Sequence, residues 1–168
     1  MGKARVRSFA PIADRNARVL ILGSMPGRAS LQAGQYYAHR RNAFWRIVAE
    51  LLDIDPGAPY RARARALRSA GIALWDVLHS CVRRGSLDTM IERDTETAND
   101  FRAFLRDHPK ITRVFFNGAK AESSFRRHVS REIGRIPLRF SRLPSTSPAN
   151  ASVPFARKRA AWRAILRR

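Results

Sequence analysis

The sequence predicts an α/β fold: three layers, α/β/α, around a central four-stranded and mainly parallel sheet. Two observations carry this. Four short apolar segments each run straight into small, polar or glycine-rich residues: Val19–Leu22, Ile72–Trp75, Val114–Phe116 and Leu138–Phe140. Stretches with helical spacing follow most of them, and strand–helix alternation argues parallel strands joined by right-handed crossovers. In such a sheet, ligands bind where the carboxyl ends of the strands gather their turns. Four scattered motifs can therefore converge on one site.

In order, residues 1–17 read as a loosely ordered lead-in, and the strand at 18–22 is apolar throughout, as a strand buried on both faces is. Residues 28–41 read as a long polar loop holding Tyr36, Tyr37 and His39. A helix starts near Asn42, a suitable N-cap, and Phe44, Trp45, Ile47, Val48, Leu51 and Leu52 recur at helical spacing. Asp55–Pro59 breaks it; Arg61–Ala70 is a basic helix ended by Gly71. The strand at 72–75 leads into a less regular segment, 76–95. A helix at 96–107, capped by Thr95 or Thr97, precedes a strand at 111–116, a helix at 119–131 and a strand at 138–142. A helix at 154–167 closes the chain. No repeat or linker divides the 168 residues, so one domain is expected.

Charge narrows the partner. The chain has 33 Lys and Arg against 13 Asp and Glu, a formal net charge of +20, with 45% hydrophobic residues interleaved. That describes a folded basic domain suited to a polyanion, since Lys and Arg at phosphates supply most non-specific nucleic-acid affinity. The lone Cys81 excludes an internal disulfide and cysteine-based metal sites, and reads as a small buried hydrophobe. His39, His79, His108 and His128 lack metal-ligand spacing. No apolar run of membrane-spanning length occurs, and Met1–Ala10 lacks the apolar core of a signal peptide. The expectation is an intracellular, cytoplasmic protein without metal.

Gly23-Ser-Met-Pro-Gly27 is a tight turn at a strand end, where glycine lets backbone approach a ligand. It lacks the ending of a phosphate-binding Walker loop. Gln35–Trp45 packs Tyr36, Tyr37, His39, Arg40, Arg41, Asn42, Phe44 and Trp45 into eleven residues, and aromatic faces beside arginines suit a stacked base and its phosphates. The plainer alternative divides the segment into core aromatics and a helix cap.

Together, Gly23–Gly27, Ser30-Leu31, Gln35–His39 and Asn42–Arg46 resemble the uracil-DNA glycosylase superfamily, and within it the hypoxanthine-DNA glycosylase branch. Ala73–Val77, Gly85–Asp88, Phe116–Gly118 and Leu143–Pro148 follow in the family's order, so the resemblance covers roughly residues 18–165. It implies an enzyme that flips a deaminated base, chiefly hypoxanthine, from DNA and hydrolyses its N-glycosidic bond, leaving an abasic site. It implies no cofactor, and a monomer.

Roles follow residue by residue. Mismatch-specific relatives place a water-positioning polar residue where this chain has Met25, which orients water poorly; Ser24 lies beside it. The hypoxanthine branch instead implies the Asn of His-x-x-Asn-x-Phe-Trp, here Asn42, which can hold water by donor and acceptor. That suffices for an oxocarbenium-like transition state, where water needs orienting more than deprotonating. Asp88 is the second catalytic candidate, stabilising positive sugar charge or taking a proton. Asp76, at a strand end, reads as a cap or brace. Asn117 could pair with the edge of the flipped base, though Asn-Gly also favours turns. Gly23, Ser24, Met25, Pro26 and Gly27 form the pocket turn, and Tyr37 is preferred over Tyr36 and Phe44 for stacking on the base. Ser145, Thr146, Ser147 and Pro148 suit the flanking phosphates, with Pro148, Ala149 or Asn150 as the duplex wedge. Arg40-Arg41 stands where the family has proline after the histidine, so unchanged chemistry with an altered DNA grip is expected. Three alternatives remain: a uracil- or mismatch-specific enzyme of the same fold, an inactive nucleic-acid-binding module, and a basic RNA-associated factor.

Overall fold

Alternation along the central strands decides the layering of the chain. The structure is a computed structural model that describes residues 4–167. Strands β2 (Val19–Gly23), β3 (Ile72–Asp76), β6 (Arg113–Asn117) and β7 (Arg139–Leu143) form one sheet in the order β3-β2-β6-β7. All three pairings are parallel, with Leu20 opposite Ala73 and Val114, and Val114 opposite Phe140. Successive side chains point to opposite faces. Leu20, Leu22, Ala73, Trp75, Val114 and Phe116 therefore enter one buried cluster, with Phe101, Phe104 and Phe125 of helices α4 (Phe101–Asp107) and α5 (Ala119–His128). Val19, Ile21, Ile72, Leu74 and Phe115 enter the other, beneath α2 (Phe44–Leu52), α3 (Tyr60–Ser69) and α6 (Phe155–Trp162). The three-layer α/β/α arrangement with a four-stranded parallel sheet is thus present. The outer strand β7 is exposed over Arg139–Arg142, and arginines blunt this free edge.

Several local expectations are corrected. The lead-in is not loose where described. Arg5–Arg7 forms β1, antiparallel to β4 (Leu78–Arg83); Ile12 bridges Leu74, and Ala17 is buried. Met1–Lys3 lie outside the described residues. The polar loop contains a short helix, α1 (Arg28–Ala33), ended by Gly34 at φ 64°.

The segment 76–95 is not irregular. It supplies β4 and most of β5 (Ile91–Ala98), which with β1 form a three-stranded antiparallel sheet in the order β1-β4-β5. Register shifts between Leu78 and Ser80, and between Ser80 and Val82, break the two-residue alternation that would have announced a strand. The helix expected at 96–107 begins only at Phe101. Thr95 and Thr97 stay in β5, where Thr95 Oγ1 accepts the Val82 N–H at 2.8 Å. Asp100 caps the helix instead, accepting the Ala103 N–H at 2.9 Å. Among the described residues, no helix is long and apolar enough to cross a membrane.

Candidate active site

Because the four strands of the main sheet run parallel, Gly23, Asp76, Asn117 and Leu143 end at the same edge. The turns beyond them enclose a cleft of about 860 Å³. Its walls are Gly23–Ser30, Tyr36-Tyr37, His39, Asn42, Asp76, Ser86–Thr89, Asn117–Ala119 and Arg142–Asn150.

One wall is built around Asn117. Its Nδ2 donates to the Tyr37 hydroxyl at 3.0 Å and to Thr146 Oγ1 at 2.9 Å, and its Oδ1 accepts the Thr146 N–H at 2.9 Å. The Thr146 carbonyl in turn accepts the Ala43 N–H at 3.0 Å, tying this loop to the start of α2. Gly118, at φ 92°, lets the chain turn here; a Cβ on it would lie 3.0 Å from the Ser145 Cβ. Both amide donors of Asn117 are committed, so it braces this wall.

Tyr37 occupies left-handed backbone at φ 54°, rare for a side chain of its size, and its ring lies on Phe44 with centroids 4.2 Å apart. Phe44 itself is fully buried and does not line the cleft. It is the core layer beneath Tyr37, and truncating such a ring typically costs about 3–5 kcal/mol. Tyr36 turns inward, its hydroxyl donating to the Ala10 carbonyl at 2.9 Å.

Asn42 stands at the cleft, and its Oδ1 accepts the Phe44 N–H at 3.0 Å. The helix begins at Phe44 with Ala43 at its N-cap, so Asn42 is not the N-cap expected from sequence; from one residue further out it accepts the first helical N–H. That bond fixes the side chain and leaves the NH₂ group and one lone pair available. Arg40 and Arg41 are exposed and do not line the cleft, but lie in the loop between its His39 and Asn42.

Two carboxylates face this space. Asp88 follows the loop between β4 and β5, and its Oδ1 accepts the Ser24 hydroxyl at 2.8 Å. Burial of its carboxyl raises its pKa, while Ser24, Arg83 and Lys120 pull it back. The residue as a whole is exposed, so water tempers the shift. Asp76 is different. It is 3% exposed, and its Oδ2 has no hydrogen-bond partner among the described residues. Burial first, then the neighbouring Asp88 charge, pushes its carboxyl up to about 7, against the pull of Arg83. Gly23 makes room for it: a Cβ there would collide with Asp76 Oδ1 and sit 2.8 Å from the Tyr37 hydroxyl. Asp76 is therefore neither cap nor brace but a buried carboxyl on the cleft floor with one oxygen unpartnered among the described residues. The signal was an acidic residue closing the apolar run Ile72–Trp75.

Arg83 also escaped the sequence. It is 5% exposed, and its Nη2 donates to the Pro26 carbonyl at 2.6 Å, clamping the first turn against the second sheet. Met25 is a buried wall residue, and Gly27 abuts Ser86. Ser145, Ser147 and Pro148 form the far lip, where Ser145 Oγ accepts the Ser147 N–H at 3.2 Å. Among the described residues, no group of three or more His, Cys, Asp or Glu is placed to hold a metal ion.

The family model for the uracil DNA glycosylase superfamily matches residues 10–167. A hypoxanthine DNA glycosylase from Methanosarcina barkeri is 38% identical over 116 residues, 68% of this chain and 72% of that protein. One from Methanosarcina acetivorans is 36% identical over the same shares. The solution NMR structure of a candidate uracil DNA glycosylase from Methanosarcina acetivorans superposes with a TM-score of 0.78 at 30% identity, covering 98% of this chain and 100% of that one. The chain belongs to the uracil DNA glycosylase superfamily.

Proposed function

We propose that this DNA glycosylase releases hypoxanthine from DNA, with Asn42, Asp76 and Asp88 as its working residues. The observation that carries the reading is their convergence, with the Tyr37 ring, on one cleft at the carboxyl edge of the sheet. The two curated relatives named above support the choice of base.

Flipping costs least for a damaged or mispaired base, which favours a deaminated one. Once in the cleft, the base stacks on Tyr37, held by Asn117 from the side and Phe44 from below. Asp76 reads its edge. Deamination turns an amino group into a carbonyl beside a ring N–H. A neutral carboxyl presents one donor and one acceptor to that pair, whereas a carboxylate presents acceptors only. Burial keeps Asp76 largely neutral below about pH 7.

Asn42 holds the attacking water. Water oxygen bonds to the sugar C1′ as the C1′–N9 bond breaks, and that bond's electron pair leaves with the base. Asp88 stabilises the positive charge on the sugar and accepts the water's proton. Met25, apolar and buried, takes no part in holding water. Ser145, Ser147 and Pro148 meet the flanking phosphates, and Arg40 and Arg41 extend the basic surface; Thr146, expected with them, is buried and bonded to Asn117 and Ala43, so it braces the lip from behind. The enzyme acts as a monomer, in the compartment that holds the chromosome.

Uracil and xanthine carry the same carbonyl and N–H pair, so Asp76 admits them chemically and the cleft's shape must rank them. The test is base release from labelled duplexes holding hypoxanthine, xanthine or uracil, read as strand breaks after alkali. Breaks chiefly at hypoxanthine are expected. Breaks confined to uracil would place the specificity elsewhere in the superfamily. DNA binding without breaks would leave a binding module.

A further inference from the structure

Helix α3 carries its charge differently from its neighbours. Between α2 and α6, Arg46 and Arg159 share Glu50, at 3.8 Å and 2.7 Å. Between α5 and β7, Arg126 and Arg142 share Glu122, at 2.7 Å and 3.3 Å. Tyr60–Ser69 holds four arginines and no acidic residue. Arg63 serves the fold: its Nε donates to the Ala58 carbonyl at 3.1 Å, and its guanidinium lies 4.8 Å over the Trp45 ring. The other three, Arg61, Arg65 and Arg68, stand at i, i+4 and i+7, which is one stripe of a helix. Arg61 and Arg65 are exposed and Arg68 is half-buried. Among the described residues none of the three has a carboxylate partner. Asp55 before the helix accepts the Gly57 N–H, and Asp14 beside Arg15 accepts the Asn16 N–H, at 2.8 Å each.

This arrangement has a cost. Like charges four residues apart destabilise a helix, and Arg61 stands in the first turn, at the positive end of the helix dipole. An anion along the stripe would relieve both. The stripe also has a direction. At its start, the Tyr60 hydroxyl accepts the N–H of Tyr36, a cleft residue, at 3.2 Å. At its far end, the Gly71 carbonyl accepts the Arg18 N–H at 2.8 Å, where β2 begins. Exposed Arg15 and Arg18 extend the basic row there. The row therefore leads from the cleft to the opposite edge of the parallel sheet. Arg61 to Arg68 spans about 10 Å of helix, and a duplex carries one charge per about 1.7 Å of its axis, so several phosphates can meet it. A duplex that offers a base to the cleft lies over the carboxyl edge, and it is too stiff to turn back sharply along α3.

We propose that Arg61, Arg65 and Arg68, with Arg15 and Arg18, grip the phosphate backbone of a second DNA segment while the cleft holds the first. This goes beyond base release. It gives the protein a route from one segment to another without passing through free solution.

The test is the rate at which the full chain leaves a short, labelled, undamaged duplex as unlabelled duplex is added, at one salt concentration. A protein with one site leaves at a rate independent of competitor. A protein with two binds the second duplex before it releases the first, so its rate climbs. Wild type is expected to leave about fivefold faster or more at high competitor. The triple variant Arg61→Gln, Arg65→Gln, Arg68→Gln keeps good helix formers and should lose that dependence. Its unfolding midpoint should not fall below wild type, and its single-turnover hypoxanthine release should be unchanged. Arg102→Gln, Arg127→Gln, Arg131→Gln removes the same charge from exposed positions in the layer of α4 and α5, and should keep the wild-type dependence. A wild-type rate that ignores competitor, a triple variant that still responds, or equal losses in both variants would overturn the second site. Polyglutamate that acts as well as duplex would overturn the choice of DNA as its occupant. Because the duplexes are undamaged, failure of base release would leave this result standing, and the reverse.

Discussion

The two sheets meet the cleft in different ways. The parallel sheet contributes its floor and one wall through strand ends whose places are set by backbone register: Gly23 pairs with Asp76, and Asn117 with Leu143. The antiparallel sheet contributes a lip whose place is set by side chains. Arg83 grips Pro26, Ser24 holds Asp88, and buried Glu96 on β5 is ion-paired to Lys120 and hydrogen-bonded to His128 of α5. The proposed base-reading and water-holding groups stand on or beside the first support, and Asp88, proposed to take the water's proton, stands on the second. Chemistry thus stands on strand ends fixed by backbone register, facing a lip fixed by side-chain bonds.

The sharpest way to break this comparison is at Asn42, whose carbonyl oxygen serves both cap and cleft. Asn42→Ser keeps a capping oxygen but loses the amide. Base release is expected to fall about 1,000-fold, with the unfolding midpoint near wild type. Asn42→Ala should lose the same activity and about 1 kcal/mol of stability besides. An active Asn42→Ser protein would reduce this residue to a cap.

Asn117→Ala tests the wall. It removes three hydrogen bonds at once and frees Tyr37 and Thr146. A stability loss of about 2–3 kcal/mol in urea titrations is expected, with kcat down about tenfold or more through the loosened start of α2. Unchanged stability would show that the network is incidental.

Glu96→Gln tests the support of the lip. Burial opposes ionisation of Glu96, but the hydrogen bonds from Lys120 and His128 outweigh it and hold its pKa below the ordinary value. A depressed carboxylate stabilises the fold above its unfolded pKa, and that contribution disappears as pH falls through the lower folded value. Wild type should therefore lose stability in acid, below about pH 4.5. The variant should start about 1–3 kcal/mol lower at neutral pH and lose less on acidification. Its kcat should change much less than that of Asn117→Ala. Parallel acid titrations of the two proteins would contradict the assignment.

The smallest effect belongs to Arg40 and Arg41, exposed beside the cleft. Arg40→Ala and Arg41→Ala should each weaken DNA binding and reduce the slope of log affinity against log salt by about 1, with kcat unchanged. A changed kcat would place the arginines within the chemistry.

The same division explains what could be read from the sequence. The parallel sheet announced itself because its strands are buried on both faces, so Val19–Leu22 and Ile72–Trp75 are unbroken apolar runs ending in turns. Its strand-end motifs could then be placed on one edge by topology alone, and Gly23, Asp76, Asn117 and Leu143 do line one cleft; Asn42 was singled out by the family resemblance instead. The antiparallel sheet was hidden by its bulges: Leu78–Arg83 shifts register twice, and buried Arg83 looks like a surface charge in sequence. Asp100, not Thr95 or Thr97, caps α4, because those threonines are occupied in β5. Phe44 was misplaced for a different reason. Its helical spacing fits core and pocket equally, and only the stacked Tyr37 ring reveals that it lies one layer below. Asp76 was seen but read as a cap or brace, since nothing local says that its Oδ2 finds no partner among the described residues.

On the proposed function, a neutral Asp76 on the floor of the parallel sheet reads the deaminated base. It is tested most directly by the single-turnover rate of hypoxanthine release from duplex DNA between pH 5 and 9, for wild type, Asp76→Asn and Asp76→Ala. Ionisation of Asp76 replaces a donor with a second acceptor, so the wild-type rate should be highest below pH 7 and fall as pH rises through about 7. Asp76→Asn offers a donor and an acceptor at every pH, and should remain active without that alkaline fall. Asp76→Ala should be at least about 100-fold slower throughout. A wild-type rate that does not fall above pH 7, or an Asp76→Asn protein as slow as Asp76→Ala, would contradict the account.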